Sequence, residues 1–214
     1  MLLVPACGGS SDDAAERSGA RTLVAALGDS ITAGSPAWDP DPAIRERIGP
    51  DLDPDSQFPL WAEIHLGRDS GVRNCGVFGE RTDQIAARLD RCAAGADALI
   101  VQGGINDIAQ GRDVGDAAAD LRAMVRAGGK RGLRVMVADV LPWNNGDERA
   151  ARKIRRLNSY IARIAREERI PLLRFNDALA DPTGPGRMDP ELTADGDHPS
   201  VAGYRRLGRL VPRP

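Results

Sequence analysis

The sequence is poor in several things that particular functions require. Of 214 residues only two are His and three are Cys, and the aromatics amount to three Trp, two Tyr and three Phe. So few aromatic rings give no base-stacking platform for single-stranded nucleic acid. The formal net charge is −2 with acids and bases interspersed, so no basic stripe is available to follow a phosphate backbone. No apolar run approaches the ~20 residues of a transmembrane helix. Neither GxGxxG nor GxxxxGK(S/T) follows any strand candidate, which argues against a nucleotide or phosphate binder. No CxxC or paired histidines suggest a metal, and neither metal nor organic cofactor is expected. Lysine is nearly absent, Lys130 and Lys153 being the only two, and this bias carries no functional reading.

What is present alternates regularly. Apolar, strand-like runs fall at Thr22–Leu27, Val72–Val77, Ala98–Gln102, Arg134–Asp139 and Leu172–Phe175, each bounded by Gly, Asp, Asn or Pro. Continuous apolar runs suit parallel strands covered on both faces. Helical spacing of apolar residues appears over Phe58–Gly67, Thr82–Cys92, Asp113–Arg131, Asp147–Glu168 and Ser200–Val211, with charge on the opposite faces. The expectation is one α/β domain over 21–214 with a mostly parallel sheet and right-handed crossovers. Ser35–Gln57 breaks the rhythm: five prolines and many acids make it a surface loop with one short turn at most.

Chemistry-bearing residues collect where the strands end. Gly28-Asp29-Ser30 follows the first strand, Gly76-Val77-Phe78-Gly79-Glu80-Arg81-Thr82 the second and Gly103-Gly104-Ile105-Asn106-Asp107 the third; Asp195-Gly196-Asp197-His198 lies beyond the fifth. In a parallel sheet the first three share one edge, and ligands of open α/β sheets bind there. Ser30 can be a helix cap, its commonest role at such a place, or a nucleophile once a base takes its proton. His198 is the better base, because His65 falls within a helix. Asp195, three residues before His198, can orient the imidazole; Asp197 competes for that role. Donors for an oxyanion would be the Ser30 N–H, a glycine N–H at Gly79 or Gly76, and the Asn106 amide. Asp29, Trp38 and Trp143 are candidates to line a substrate, with plain loop packing as the alternative for both tryptophans.

"GDSIT", "GVFGERT", "GGIND" and "DGDHPS", in that order from Gly28 to Ser200, resemble the four sequence blocks of the GDSL, or SGNH, hydrolase superfamily. The resemblance implies a three-layer α/β/α sandwich around a five-stranded parallel sheet, flavodoxin-like in type. It implies Ser30 as nucleophile, His198 as base and then acid, Asp195 as its orienting carboxylate, and the Ser30 N–H, Gly79 and Asn106 as oxyanion hole. Glu80-Arg81-Thr82 departs from the Asp-Thr-Thr or similar run found after this glycine in many members. The implied activity is hydrolysis of carboxylic esters, lysophospholipids or thioesters. A carbohydrate acetylesterase on the same fold and a non-catalytic glycan- or lipid-binding surface protein are the alternatives.

Residues 1–20 are expected to form a disordered tail. Val4-Pro5-Ala6 before Cys7, with Gly and Ser after it, resembles the end of a bacterial lipoprotein signal, implying lipidation of Cys7 and a membrane tether on the outer side of the membrane. Cys75 and Cys92 then remain either as a disulfide, in keeping with an exported chain, or as two separate buried thiols. The partner expected is a small-molecule ester, and the default state is a monomer.

Overall fold

The computed structural model describes residues 21–213. The expected tail, with Cys7, lies outside the described residues. Five strands form one sheet: β1 (Thr22–Gly28), β2 (Ser70–Gly76), β3 (Ala98–Val101), β4 (Arg134–Ala138) and β5 (Leu172–Leu173). Their order is β2-β1-β3-β4-β5 and every pairing is parallel. The chain therefore leaves β1 in one direction to form β2 and crosses to the other side for β3. That switch point opens a crevice at the carboxyl ends of β1 and β3.

The described residues also form ten α-helices, α1 (Ser30–Ala33), α2 (Pro42–Ile48), α3 (Phe58–Leu66), α4 (Thr82–Ala86), α5 (Leu89–Ala93), α6 (Ile105–Ala109), α7 (Val114–Lys130), α8 (Glu148–Glu168), α9 (Phe175–Leu179) and α10 (Val201–Gly208), and a 3-10 turn at Gly49–Asp51 directly after α2. Alternate strand residues feed two cores. Ala25, Leu27, Leu99, Val101, Val135 and Val137 pack on the side of α7 and α8, against Leu121, Val125, Leu157 and Ile161. Val24, Ala26, Ile100, Met136 and Ala138 pack on the other, against Phe58, Phe175, Tyr204 and Leu207. The period of two along each strand produces this division. The expected three-layer sandwich is the observed fold.

Three differences from the sequence expectations have local causes. The helix expected over Thr82–Cys92 is broken into α4 and α5 at Arg88, whose guanidinium reaches back to the carbonyls of Gly28 and Cys75 and to Glu80. The Pro-rich segment contains α2, started by Pro42 and capped by Asp41, which accepts from the Ala43 N–H at 2.9 Å. The last strand keeps only Leu172 and Leu173, because Phe175 instead starts α9 and meets Phe58 edge to face at 5.2 Å between ring centroids.

Cys75 on β2 and Cys92 on α5 are joined as a disulfide, so the paired alternative is the one the structure contains. The bond closes a loop with a sequence separation of 17. Replacing both cysteines by serine should destabilise the fold by about 3 kcal/mol through the larger entropy of the unfolded chain. Urea midpoints of the oxidised protein and the double variant measure this.

Candidate active site

β1 ends in Gly28, and Asp29 turns the chain into α1. The Asp29 side chain accepts from the Ile31 N–H at 2.9 Å, and its carbonyl accepts from the N–H groups of Thr32 and Ala33. Ser30 is the first residue of that helix, so its own N–H has no partner among the described residues. Its side chain is nearly buried, yet Oγ is met by His198 Nε2 at 3.1 Å. The turn is tight: a Cβ on Gly76 would run into the backbone of Ala33, so β2 and α1 can approach this closely only with glycine there.

His198 arrives from the far end of the chain on a short closed loop. Thr193 and Pro199 bridge across it, and the His198 carbonyl accepts from the Ala194 N–H and the Thr193 hydroxyl, both at 2.9 Å. Within the loop His198 Nδ1 lies 2.8 Å from Asp195 Oδ2. An ionised carboxylate only accepts, so Nδ1 carries the hydrogen and Nε2 is left to accept from the Ser30 hydroxyl. Partial burial opposes the charge on Asp195. Hydrogen bonds from the His198 ring and from the His198 and Asp197 N–H groups outweigh it and hold the carboxyl below the usual aspartate range. Asp197 is engaged elsewhere, accepting from Trp143 Nε1 at 2.5 Å and Asn145 Nδ2 at 2.7 Å. The competition between the two aspartates is thus decided by geometry in favour of Asp195.

The loop after β2 faces this pair. Gly79 has φ +78, a conformation that disfavours any side chain. The Gly79 N–H donates to no protein group among the described residues, whereas the Gly76 N–H is taken by Asn74 Oδ1 at 2.9 Å. Of the two glycines, only Gly79 keeps a donor free. Asn106, in the first turn of α6, donates one amide hydrogen to the Glu80 carbonyl at 3.0 Å, which leaves the second for a ligand.

Several supporting residues were not foreseen. The half-buried Arg88–Glu80 pair, at 2.6 Å, ties the loop to the ends of β1 and β2, since the same guanidinium donates to Cys75 O at 2.8 Å and Gly28 O at 3.1 Å. Gln110 donates to Gly79 O, and the fully buried Asp107 accepts from both the N–H and the hydroxyl of Thr82. Glu80 and Arg88 are adjacent only because α4 intervenes and folds back, so charge spacing along the chain does not reveal them.

The candidate lining residues separate. Trp143 lines only a small crevice of about 10 Å³ with Ile31, Ile105, Leu141 and Asp197, too small to take a substrate group. Trp38 carries the Arg45 guanidinium over its ring at 4.8 Å and takes no part in that lining. Asp29 has to be corrected: it is fully buried and therefore touches no substrate, and its place is as the cap of α1. His65 is exposed on α3, apart from the other groups.

The fold and this constellation define a class: a flavodoxin-like parallel α/β domain with a hydrogen-bonded hydroxyl, imidazole and carboxylate at its switch point. The chain belongs to the GDSL-like lipase/acylhydrolase family, whose model matches residues 26–206. Among solved structures it is similar to a GDSL-like lipase from Bacteroides thetaiotaomicron (19% identity over 89% of this chain and 85% of that one, TM-score 0.67). It is also similar to a member of the lipolytic G-D-S-L family from Veillonella parvula (21%, 88% and 95%, TM-score 0.67). A third likeness is to a variant of an acetyl-xylooligosaccharide esterase from Geobacillus (20%, 90% and 93%, TM-score 0.67). Identities this low speak for the shared fold alone. No curated protein matches the chain.

Asp29 generates a prediction about pH. Burial pushes its carboxyl up to about 6, against the opposing hydrogen bond from the Ile31 N–H, and its Oδ2 has no partner among the described residues. A raised folded-state pKa means that the stability gained with the neutral carboxyl is complete below the unfolded value of 3.8 and is lost as pH rises through about 6. Asp29→Asn keeps an oxygen for the Ile31 N–H and removes the penalty. Relative to the parent, its stability should rise by on the order of 2–3 kcal/mol between pH 4 and pH 7.5, as read from urea midpoints at the two pH values.

Proposed function

We propose that this chain hydrolyses carboxylic esters through an acyl-enzyme on Ser30. The observation that carries the reading is the continuous set of hydrogen bonds from Ser30 Oγ through His198 to Asp195, at 3.1 and 2.8 Å. Ser30 Oγ attacks the acyl carbon while His198 Nε2 takes the hydroxyl proton. Asp195 stabilises the imidazolium that forms and keeps the ring turned toward the serine. The carbonyl oxygen becomes an oxyanion held by the Ser30 and Gly79 N–H groups and the second Asn106 amide hydrogen. Collapse of the tetrahedral species breaks the ester C–O bond, and His198 protonates the departing alkoxide. Water, deprotonated by the same imidazole, then releases the acid and restores Ser30. Every proton in this cycle has a named residue, and water is the sole co-substrate.

The crevice between Ile31, Ile105, Leu141 and Trp143 has a volume of only about 10 Å³, too small to hold an acyl group, so it does not select an acyl length. Acetyl esters, lysophospholipids and acyl thioesters are the classes to compare along a series of acyl lengths. The Cys75–Cys92 disulfide supports export to an oxidising compartment, because cytosolic thiols are kept reduced. Alkylation of intact cells that found both thiols free would contradict export.

Ser30→Ala should lower kcat on a short-chain aryl ester by on the order of 10⁴–10⁶-fold while leaving the circular dichroism spectrum unchanged. Retained turnover in that variant overturns the reading. Asn106→Ala should cost about 10²–10³-fold in kcat with little change in KM, the pattern of a donor used mainly in the transition state.

A further inference from the structure

Phe78 is the exception among the three phenylalanines. Phe58 and Phe175 are fully buried and pack on each other, whereas Phe78 is 62% exposed. It lies on the loop between β2 and α4, immediately before Gly79. Its ring centroid is 6.2 Å from that of His198, with the two planes tilted by 33°. Leaving a phenyl ring in water forgoes the favourable burial that the other two obtain. Anchoring does not require it there, because the residues after it are already tied down: Gly79 by Gln110, Glu80 by Asn106 and Arg88, and Thr82 by Asp107. Phe78 is thus an apolar surface held at the rim of the site by a loop that is fixed without it.

The side of the site it occupies gives it a meaning. His198 is the group that protonates the leaving alkoxide, so the substituent on that oxygen departs past the imidazole. The ring beside the imidazole therefore meets the alcohol portion of the ester. We infer that Phe78 is a specificity-determining residue for the leaving group, its exposed face taking an apolar or flat alcohol. The inference rests on the ester-hydrolase reading above and adds which half of the substrate this ring selects.

Two matched series test it: acetates of ethanol, butanol and benzyl alcohol, and ethyl esters of acetic, butyric and hexanoic acid. In Phe78→Ala the ratio of kcat/KM for benzyl acetate to that for ethyl acetate should fall roughly three- to tenfold, the range of one aromatic contact, and the change should lie in KM. The order of preference along the acyl series should keep its shape, and Phe78→Trp should restore the benzyl preference. Because the ring is exposed, the thermal midpoint serves as a check that the variant folds. A uniform loss across both series with a displaced pH profile would mean that the ring merely braces His198, and would overturn the inference. So would a change confined to the acyl series, or no change at all. A parent protein inert toward both series overturns the ester reading itself, which is distinguishable from an active parent whose Phe78→Ala variant is indifferent to the alcohol.

Discussion

The hydrogen bond from His198 Nδ1 to Asp195 decides what Ser30 can do. It assigns the hydrogen to one ring nitrogen and thereby turns the other into an acceptor aimed at a hydroxyl 3.1 Å away. Asp195 can serve because two backbone N–H groups and the imidazole favour its ionised form against partial burial. The loop that holds it closes on itself through Thr193, Ala194 and Pro199, so the carboxylate and the imidazole are delivered as one rigid unit. Without that unit, Ser30 would be a buried residue at the start of a four-residue helix.

A second constraint works on the opposite wall. In the proposed reaction, donors to the developing negative charge help only when they are already in place, since reorganising them would consume the gain. The loop carrying Gly79 is held from several sides. Arg88 links its Glu80 to the carbonyls that end β1 and β2, Asn106 and Gln110 tie it to α6, and Thr82 is fixed on Asp107. The disulfide adds a covalent tie between β2, whose Cys75 carbonyl Arg88 reaches, and α5, which starts directly after Arg88. Glu80, which departs from the pattern common after this glycine, is here one half of the ion pair that anchors the loop. The break between α4 and α5 falls at the same residue, whose guanidinium reaches the ends of two strands and Glu80.

Much of this was legible in the residues. The strand runs and the long amphipathic helices α7 and α8 are periodic enough to be read directly, and parallel strands place their carboxyl-end loops at a common edge by construction. Ser30, Asp195, His198 and Asn106 could be nominated because few residue types can act as nucleophile, base, orienter and donor, and the chain has only two histidines. Less legible were features set by partners distant in the chain. Asp29 looks like a site residue in sequence and is a buried cap in the structure. Of the two tryptophans, Trp143 is the better candidate in sequence, following β4 at the edge that carries Ser30; what sequence does not show is that Trp38 lies under Arg45 and that Asp197 fixes the Trp143 indole.

The sequence by itself therefore determined the class of fold and the chemical vocabulary of the site, because periodicity and residue type are local properties carried by each segment. Tertiary structure decided which of two aspartates holds the imidazole, which of two glycines keeps a free N–H, and that two cysteines meet. Those choices depend on the order in which strands pair and on where each loop is tied, and a long-range contact of that kind exists only once the sheet has brought separated segments within a few ångströms of one another.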